Sequence, residues 1–455
     1  MRRREFQPKP DARYRTIAES DIIELLLLVS WAYEVEAGQG AAARAAASAA
    51  LDGWIGQGLG FQSDTDGRRL FDPVEVINFM KWAGLTGADP YWETHFVGTH
   101  RGFVQEFGPG PDGGLQSSAM PPRRFRIKLR RSFDLHGFAE GANVRLRAPL
   151  PFAGTYHRDV AVTPILPEAL AQQAVLREQC LELRARVPHD RTITIGADFL
   201  ITATDPTGGS ALLAEHEREL YLRESEGLIR VTPRIAALAA ELSGNTGSAR
   251  QTVGAFWDHM MGTLCSGMIR YHDVPQDRPG DWVLDNGWYD CQLGAALLAS
   301  LCRARGIPAR IVSGHLLYRV QPISHYWCEV WLDDAGWRPF DVICWDLSRG
   351  GRDRGWAEMF AGQIDYRLVV QCFPLVFTGP MSVHFPKAWQ MVQVAAAGGV
   401  DITYTNAEDG ALIYRDHAEV ESLDEASARA DDRRAPMQRD APLPSQIDYE
   451  ETRLF

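Results

Sequence analysis

The sequence predicts an α+β protein in successive parts: a helical N-terminal segment, a β-rich domain, and a mixed region where a long helix precedes a β-hairpin. Three observations carry this expectation. Helix-forming and helix-capping residues dominate positions 1–115. From residue 121, apolar residues alternate with Arg and Lys at period two. From Ser248, helical periodicity returns and then gives way to an aromatic, β-branched strand pair between 324 and 344. At 455 residues the chain exceeds what one hydrophobic core holds, so two or three domains are expected.

The elements follow in order. Asp21 is placed to cap a helix through Leu25, Leu28 and Val29, and Ala41 to Ile55 is an alanine-rich stretch of high helix propensity. Asp72-Pro73, followed by Val74, Val76, Ile77 and Met80, reads as another helix start, with proline in the first turn. No chemistry-bearing motif stands out in this segment. His95 and His100 are five apart, which is not helical ligand spacing, so packing is their expected role. The glycine- and proline-rich run from Gly108 to Gly114 marks a domain boundary. Strands are then expected around Phe125–Leu129, Val144–Leu150, Val160–Ile165 and Ile193–Thr204, forming a β-rich domain over 121–225. Thr232-Pro233 and Ser248 open helices. In the second of these, Val253, Phe256, Trp257, Met260, Met261 and Leu264 share one face, as a core stripe does. Strand-like stretches recur at Leu368–Phe377 and Asp401–Tyr404, with C-terminal strands expected over 381–420. From Glu421 onward apolar residues thin out, and 421–455 is expected to be a disordered or partner-docked tail.

Composition excludes several functions. A net charge of -12 is the wrong sign for a broad nucleic-acid surface. The basic run Arg123 to Lys128 alternates with apolar residues, as a strand with one solvated face does. Seven cysteines, none in a Cys-x-x-Cys pair, suit a reducing compartment where thiols fill core space. The apolar run Ile22 to Tyr33 contains Glu24 and is too short to span a bilayer, and no secretory cleavage site follows it. A cytoplasmic protein without nucleic-acid or membrane partners is the expectation.

Chemistry concentrates in three segments. In Gly287 to Pro308, Asp290 caps a helix running to about Arg305, where Gly306 and Pro308 stop it; Leu293, Leu297 and Leu301 form its buried stripe. Cys291 thus sits in the first turn. Unpaired backbone N–H groups and the positive helix end favour thiolate there, and the N–H of Cys291 is available to an oxyanion. The thiol is therefore expected to titrate below an ordinary one, provided an imidazolium outweighs the neighbouring Asp290. The strand Ser324 to Leu332 carries His325. Gly336 to Cys344 carries Asp341, and Asp333, Asp334 and Ala335 lie between as a turn. A three-residue loop pairs His325 with Ile343 and sets Asp341 diagonally beside it; a two- or four-residue loop sends Asp341 to the opposite face.

The run from Asp290-Cys291 through Ala304 to Gly314 resembles the cysteine segment of the transglutaminase-like superfamily. His325 to Trp331, then Gly336-Trp337 and Phe340-Asp341, resemble that family's His and Asp segments in order and spacing. The likeness covers about Ser248 to Ser348. Val144 to Pro151 also resembles the β-domain that precedes the core in bacterial members, whereas residues 1–115 match no family. The resemblance implies a papain-like α+β core over 226–380, with the Cys helix packed on an antiparallel sheet. It further implies Cys291 as nucleophile, His325 as general base and then acid, and Asp341 as the group orienting the imidazole. An aromatic donor upstream of the cysteine often completes the oxyanion hole in this family, which makes Tyr271 and Trp282 candidates.

The implied activity is acyl transfer from an amide or thioester through a covalent thioester acyl-enzyme, with amine or water as acceptor. The substrate would be a peptide or small molecule, free or carrier-bound. A cysteine peptidase is the second enzymatic reading. The rival from another class is a binding or scaffold protein that keeps the core, against which all three triad residues argue. No cofactor is expected and no calcium-ligand pattern is present. Cys302, Cys328, Cys344 and Cys372 read as core, and the ligand spacing around Cys328 and Cys344 is too irregular for zinc.

Overall fold

A computed structural model describes residue 6 and residues 16–32, 41–86, 121–151, 156–177, 180–204, 212–244, 246–317, 324–347, 360–363, 366–372, 389–396, 399–406 and 412–424. His95, His100, the boundary run at 108–114 and the tail beyond 424 lie outside the described residues. Helices and largely antiparallel sheets both occur, as an α+β chain requires. The chain packs as two compact units, one of residues 1–118, 208–312 and 326–364, the other of 119–207, 313–325 and 365–455. Neither is continuous in sequence.

In the first unit, helices Glu19–Ala32, Ala41–Gly56 and Pro73–Thr86 assemble with a small sheet of Ile17–Ala18, Arg69–Phe71 and Gln62–Ser63. Ala43, Ala47, Leu51 and Trp54 recur at helical spacing and are all buried, which decides the inward face of the alanine-rich helix. They join Leu26, Phe71, Phe79 and Met80 in one apolar cluster, against which Met268 also packs. Further helices are Pro233–Ser243 and Ala249–Thr263. Thr232 and Ser248 cap them by accepting from the backbone N–H of Ile235 and Gln251. Val253, Phe256, Trp257, Met260, Met261 and Leu264 are buried, as their periodicity predicts.

The second unit holds a six-stranded antiparallel sheet in the order 389–396, 399–406, 412–422, 123–134, 192–203, 157–165. Beside it, 143–149, 180–186 and 174–176 form three strands. Phe125, Ile127 and Leu129 point inward, while the intervening cations meet acidic neighbours such as Asp198 and Glu419. Arg131 has the inward parity yet is charged. Asp416, opposite it in the ladder, accepts two hydrogen bonds of 2.7 Å from its guanidinium, which also lies 3.9 Å above the Tyr414 ring. Only pairing with a strand almost 300 residues away makes a buried arginine tolerable there.

The remaining four-stranded sheet has the order Gly336–Phe340, Ser324–Leu332, Ala309–Leu316, Arg367–Cys372. The helix Cys291–Ala304 is buried from Gln292 to Arg303. Arg305 follows as its C-cap and Gly306 takes a left-handed φ of 70°, so the helix stops where its sequence predicts.

Candidate active site

Asp290 opens the nucleophile helix by accepting from the N–H of Leu293 at 2.9 Å, leaving half-buried Cys291 in the first turn. The helix is held close to its neighbours by Gly294. A Cβ there would lie 2.5 Å from Val342 Cγ2 and 2.8 Å from the Tyr289 ring, so only glycine admits this approach. Val342 directly follows Asp341. The same contact therefore brings the carboxylate towards the sulfur.

The hairpin has the three-residue turn at 333–335, with Leu332 opposite Gly336 and Cys328 opposite Phe340. That register is the one which sets His325 and Asp341 on one face. Its continuation to Ile343 does not form, because the ladder ends at Phe340 and Val342–Leu347 is a helix. Asp341 caps it: Oδ1 accepts from the N–H of Ile343 at 3.1 Å and of Cys344 at 2.9 Å. Its own N–H donates to the Phe360 carbonyl. Asp341 is thus fixed by a helix start rather than by strand pairing. A polar atom of His325, of Asp341 and of Cys344 all lie within 4.8 Å of one another, and all three residues are buried.

The electrostatics differ from the local expectation for Cys291. Burial, then the Asp290 carboxylate, push its thiol up; Asp341 adds to this, while the N–H groups of Tyr326 and Gln292 pull down and do not offset it. Helix polarity is outweighed, and the expectation of a thiol titrating below the ordinary range is corrected. The sign is direct: a raised thiol is protonated at neutral pH, so ionisation must be assisted.

Of the two aromatic candidates, Tyr271 reaches the carboxylate that precedes Cys291. The Tyr271 hydroxyl lies 2.8 and 2.7 Å from the two oxygens of Asp290, to which it donates its one proton. Burial and this carboxylate hold the phenol well above its usual range. Trp282 sits within helix Pro279–Asn286, and its indole makes no hydrogen bond among the described residues. Tyr271 thus holds the Asp290 carboxylate, and two roles for it can be told apart. Tyr271→Phe is expected to destabilise the fold by about 1–3 kcal/mol, since a buried carboxylate loses a donor. An oxyanion donor would instead lower kcat about 10²–10³-fold at unchanged stability, and urea unfolding beside steady-state rates separates the two.

Three residues near the site escaped the sequence reading. Cys344, read as core, stands beside His325 and Asp341; together they offer sulfur, nitrogen and oxygen ligands that would suit a zinc-like ion. Asp346 is buried, and its Oδ2 accepts from the Ser266 N–H at 3.1 Å and the Tyr289 hydroxyl at 2.8 Å. Lys81, on the N-terminal helix Pro73–Thr86, is within electrostatic reach of Asp346, Cys291 and Asp290. A lysine among apolar helix positions was the only local signal, and nothing in the sequence tied it to residue 291.

Residues 236–342 match the family model of the transglutaminase-like superfamily. A protein-glutamine gamma-glutamyltransferase of Pseudomonas aeruginosa is 24% identical over 194 residues, which are 40% of this chain and 29% of the relative. The chain thus spans less than a third of that relative's length. Among solved structures, a candidate cysteine protease from Cytophaga hutchinsonii overlaps 67% of this chain and 92% of its own, at TM-score 0.41 and 13% identity. The periplasmic domain of TgpA from Pseudomonas aeruginosa overlaps 53% and 98%, at TM-score 0.31 and 16% identity. At such TM-scores the likeness is partial.

Proposed function

Because the chain belongs to the transglutaminase-like superfamily, a group of cysteine-dependent acyltransferases and proteases, we propose that it transfers an acyl group from an amide or thioester through Cys291. The observation that carries this reading is the meeting of two elements. The half-buried thiol at a helix start faces the N–H of Tyr326, and the next residue on that strand is His325, itself beside Asp341. Cys291 gives its proton to His325 and attacks the carbonyl; the backbone N–H of Cys291 steadies the oxyanion. The imidazolium then protonates the leaving amine or thiol, and an amine or water resolves the thioester. Asp341 keeps the ring in the productive tautomer. The name of the Pseudomonas aeruginosa relative makes a glutamine side-chain amide the first donor to test. A reducing, cytoplasmic setting suits a reaction that needs a free thiol, and the six described cysteines are all free.

Trapping tests the proposal. Incubation with a pool of glutamine-containing peptides and small amides, followed by intact mass measurement, is expected to show a thioester adduct on Cys291. An added primary amine should convert the adduct to an amide product, whereas release by water alone would mark a hydrolase. No adduct from any donor, together with no Cys291-dependent turnover, would reduce the chain to a scaffold.

Asp341→Asn is expected to fold, because asparagine also accepts from the N–H groups of a helix start. It should slow turnover roughly 10–10³-fold, since an amide offers a donor where the imidazole needs an acceptor and a thiolate leans on its base less than a hydroxyl does. Wild-type rates in this variant would remove Asp341 from the mechanism.

A further inference from the structure

Phe6 is set among three aromatic rings. Its centroid lies 4.6 Å from that of Phe79, 5.7 Å from Trp82 and 5.9 Å from Trp288, edge-on or tilted to each. Phe79 is buried and forms the floor, whereas Trp82, Trp288 and Phe6 itself are half-buried. Phe79 and Trp82 belong to the helix Pro73–Thr86, and Trp288 opens the short strand that leads through Asp290 into Cys291. The walls are braced without Phe6. Phe79 and Trp82 pack on each other at 5.3 Å. Asn78, on the same helix, grips the backbone of Met268: its Oδ1 accepts from the N–H at 2.7 Å and its Nδ2 donates to the carbonyl at 3.1 Å. At Gly267 a Cβ would meet the Trp288 ring at 2.5 Å and the Asn78 Oδ1 at 2.6 Å, so helix and strand come this close only through glycine.

Composition marks Phe6 as an occupant of this cage rather than a wall of it. Residues 2–13 are charged, polar or proline apart from Phe6 and Ala12, so Phe6 is the one large apolar side chain that stretch can bury. A single aromatic anchor in a polar, proline-containing sequence is the composition of a bound peptide, not of a core element. The cage also stands beside the nucleophile. Extended chain rises about 3.3 Å per residue, which puts the Trp288 Cα within about 10 Å of the Cys291 Cα. An extended peptide covers the same span in about three residues.

We propose that Phe79, Trp82 and Trp288 form a subsite for an aromatic side chain of the acyl-donor peptide, about three residues from the reacting amide, and that Phe6 fills it as an intrachain competitor. The inference rests on the acyl-transfer reading only in taking a peptide to lie across Cys291. An aromatic ring gains both apolar contact and edge-to-face geometry against three rings, whereas a small or charged side chain gains neither. For Phe6 the same gain is offset by the ordering of the residues that carry it, which leaves the ring displaceable. Its presence lowers the apparent affinity for a peptide in proportion to the fraction of molecules whose cage is open. The helical segment before residue 115 thereby takes part in substrate selection.

Binding tests this without turnover. Full-length protein carrying Cys291→Ala is titrated calorimetrically with acetyl-Phe-Gly-Gly-Gln-Gly-Gly-Phe-amide and with its counterpart bearing alanine at both ends. Adding Phe6→Ala is expected to tighten the phenylalanine peptide about three- to tenfold and to leave the alanine peptide unchanged. Adding Trp82→Leu or Trp288→Leu to that variant should erase the difference between the two peptides, with circular dichroism as the check on folding. Either tryptophan variant suffices, and the Phe6→Ala comparison decides alone if neither folds. With Cys291 restored, Phe6→Ala should lower KM for the phenylalanine peptide by the same factor at unchanged kcat. Equal tightening of both peptides, or of neither, overturns the proposal. So does a preference that survives in folded tryptophan variants, and so does loss of folding in Phe6→Ala, which would make the ring part of the core. Selective tightening without turnover on any donor would keep the subsite and reject the proposed reaction; Cys291-dependent turnover without a preference for the aromatic peptide would do the reverse.

Discussion

Cys291→Ala is expected to abolish turnover, by about 10⁴-fold or more, while the protein folds as before. The sulfur is half-buried in the first turn of a helix that is otherwise enclosed, and the bonds that alanine would remove are the weak ones it accepts from the N–H groups of Tyr326 and Gln292. Alanine has high helix propensity, and the cap bond from Asp290 to the Leu293 N–H does not involve the side chain lost. The stability change should therefore stay within about 1 kcal/mol. Removing a nucleophile, by contrast, removes the covalent route altogether, and what remains is binding and oxyanion stabilisation. Mass measurement should show no adduct on the variant, and thermal unfolding should be nearly superimposable on wild type. Retained turnover would eliminate the mechanism. Cys291→Ser gives a second measure, because a hydroxyl in a site already unfavourable to an anion should be close to inert.

Glu329→Ala is expected to have the largest effect on stability, about 3–5 kcal/mol. Glu329 is fully buried on the strand that carries Tyr326, and its Oε2 accepts from the Arg310 guanidinium at 2.8 Å and 2.7 Å. Arg310 also lies 4.1 Å from the Trp337 ring and donates to the Tyr221 hydroxyl at 3.3 Å. Truncating the carboxylate leaves that guanidinium buried beside rings that cannot neutralise it. At this size the loss should lower the midpoint of thermal unfolding by roughly 10 °C. Replacing both partners, as Arg310→Met with Glu329→Leu, should recover most of the loss, because desolvation of the charges is then avoided. A single variant as stable as wild type would show that the pair contributes nothing net.

Local chemistry was legible in the sequence. Asp290, Thr232 and Ser248 act as caps because a short polar side chain satisfies an N–H two or three residues on. Gly306 ends the nucleophile helix, and the turn at 333–335 fixes the hairpin register, both through residues adjacent in sequence. The strand at 180–186 went unread, since the pairing partners on either side of it are what make it a strand. Arg131 illustrates this: its inward parity made sense only once Asp416 was opposite.

By itself, then, the sequence determined the α+β class, the helix that presents Cys291 and the resemblance to a family, and it permitted the hairpin parity that admits His325 and Asp341 to one face. Those features depend on periodicity and on hydrogen bonds within a few residues, which neighbouring side chains settle. Tertiary structure decided the charge environment of the sulfur. Asp341 acts on it from a helix cap that replaced the predicted strand, burial outweighs the helix dipole, and Lys81 arrives from a segment more than 200 residues earlier. Electrostatic energy depends on distance and desolvation in space, neither of which is a property of any local stretch of chain.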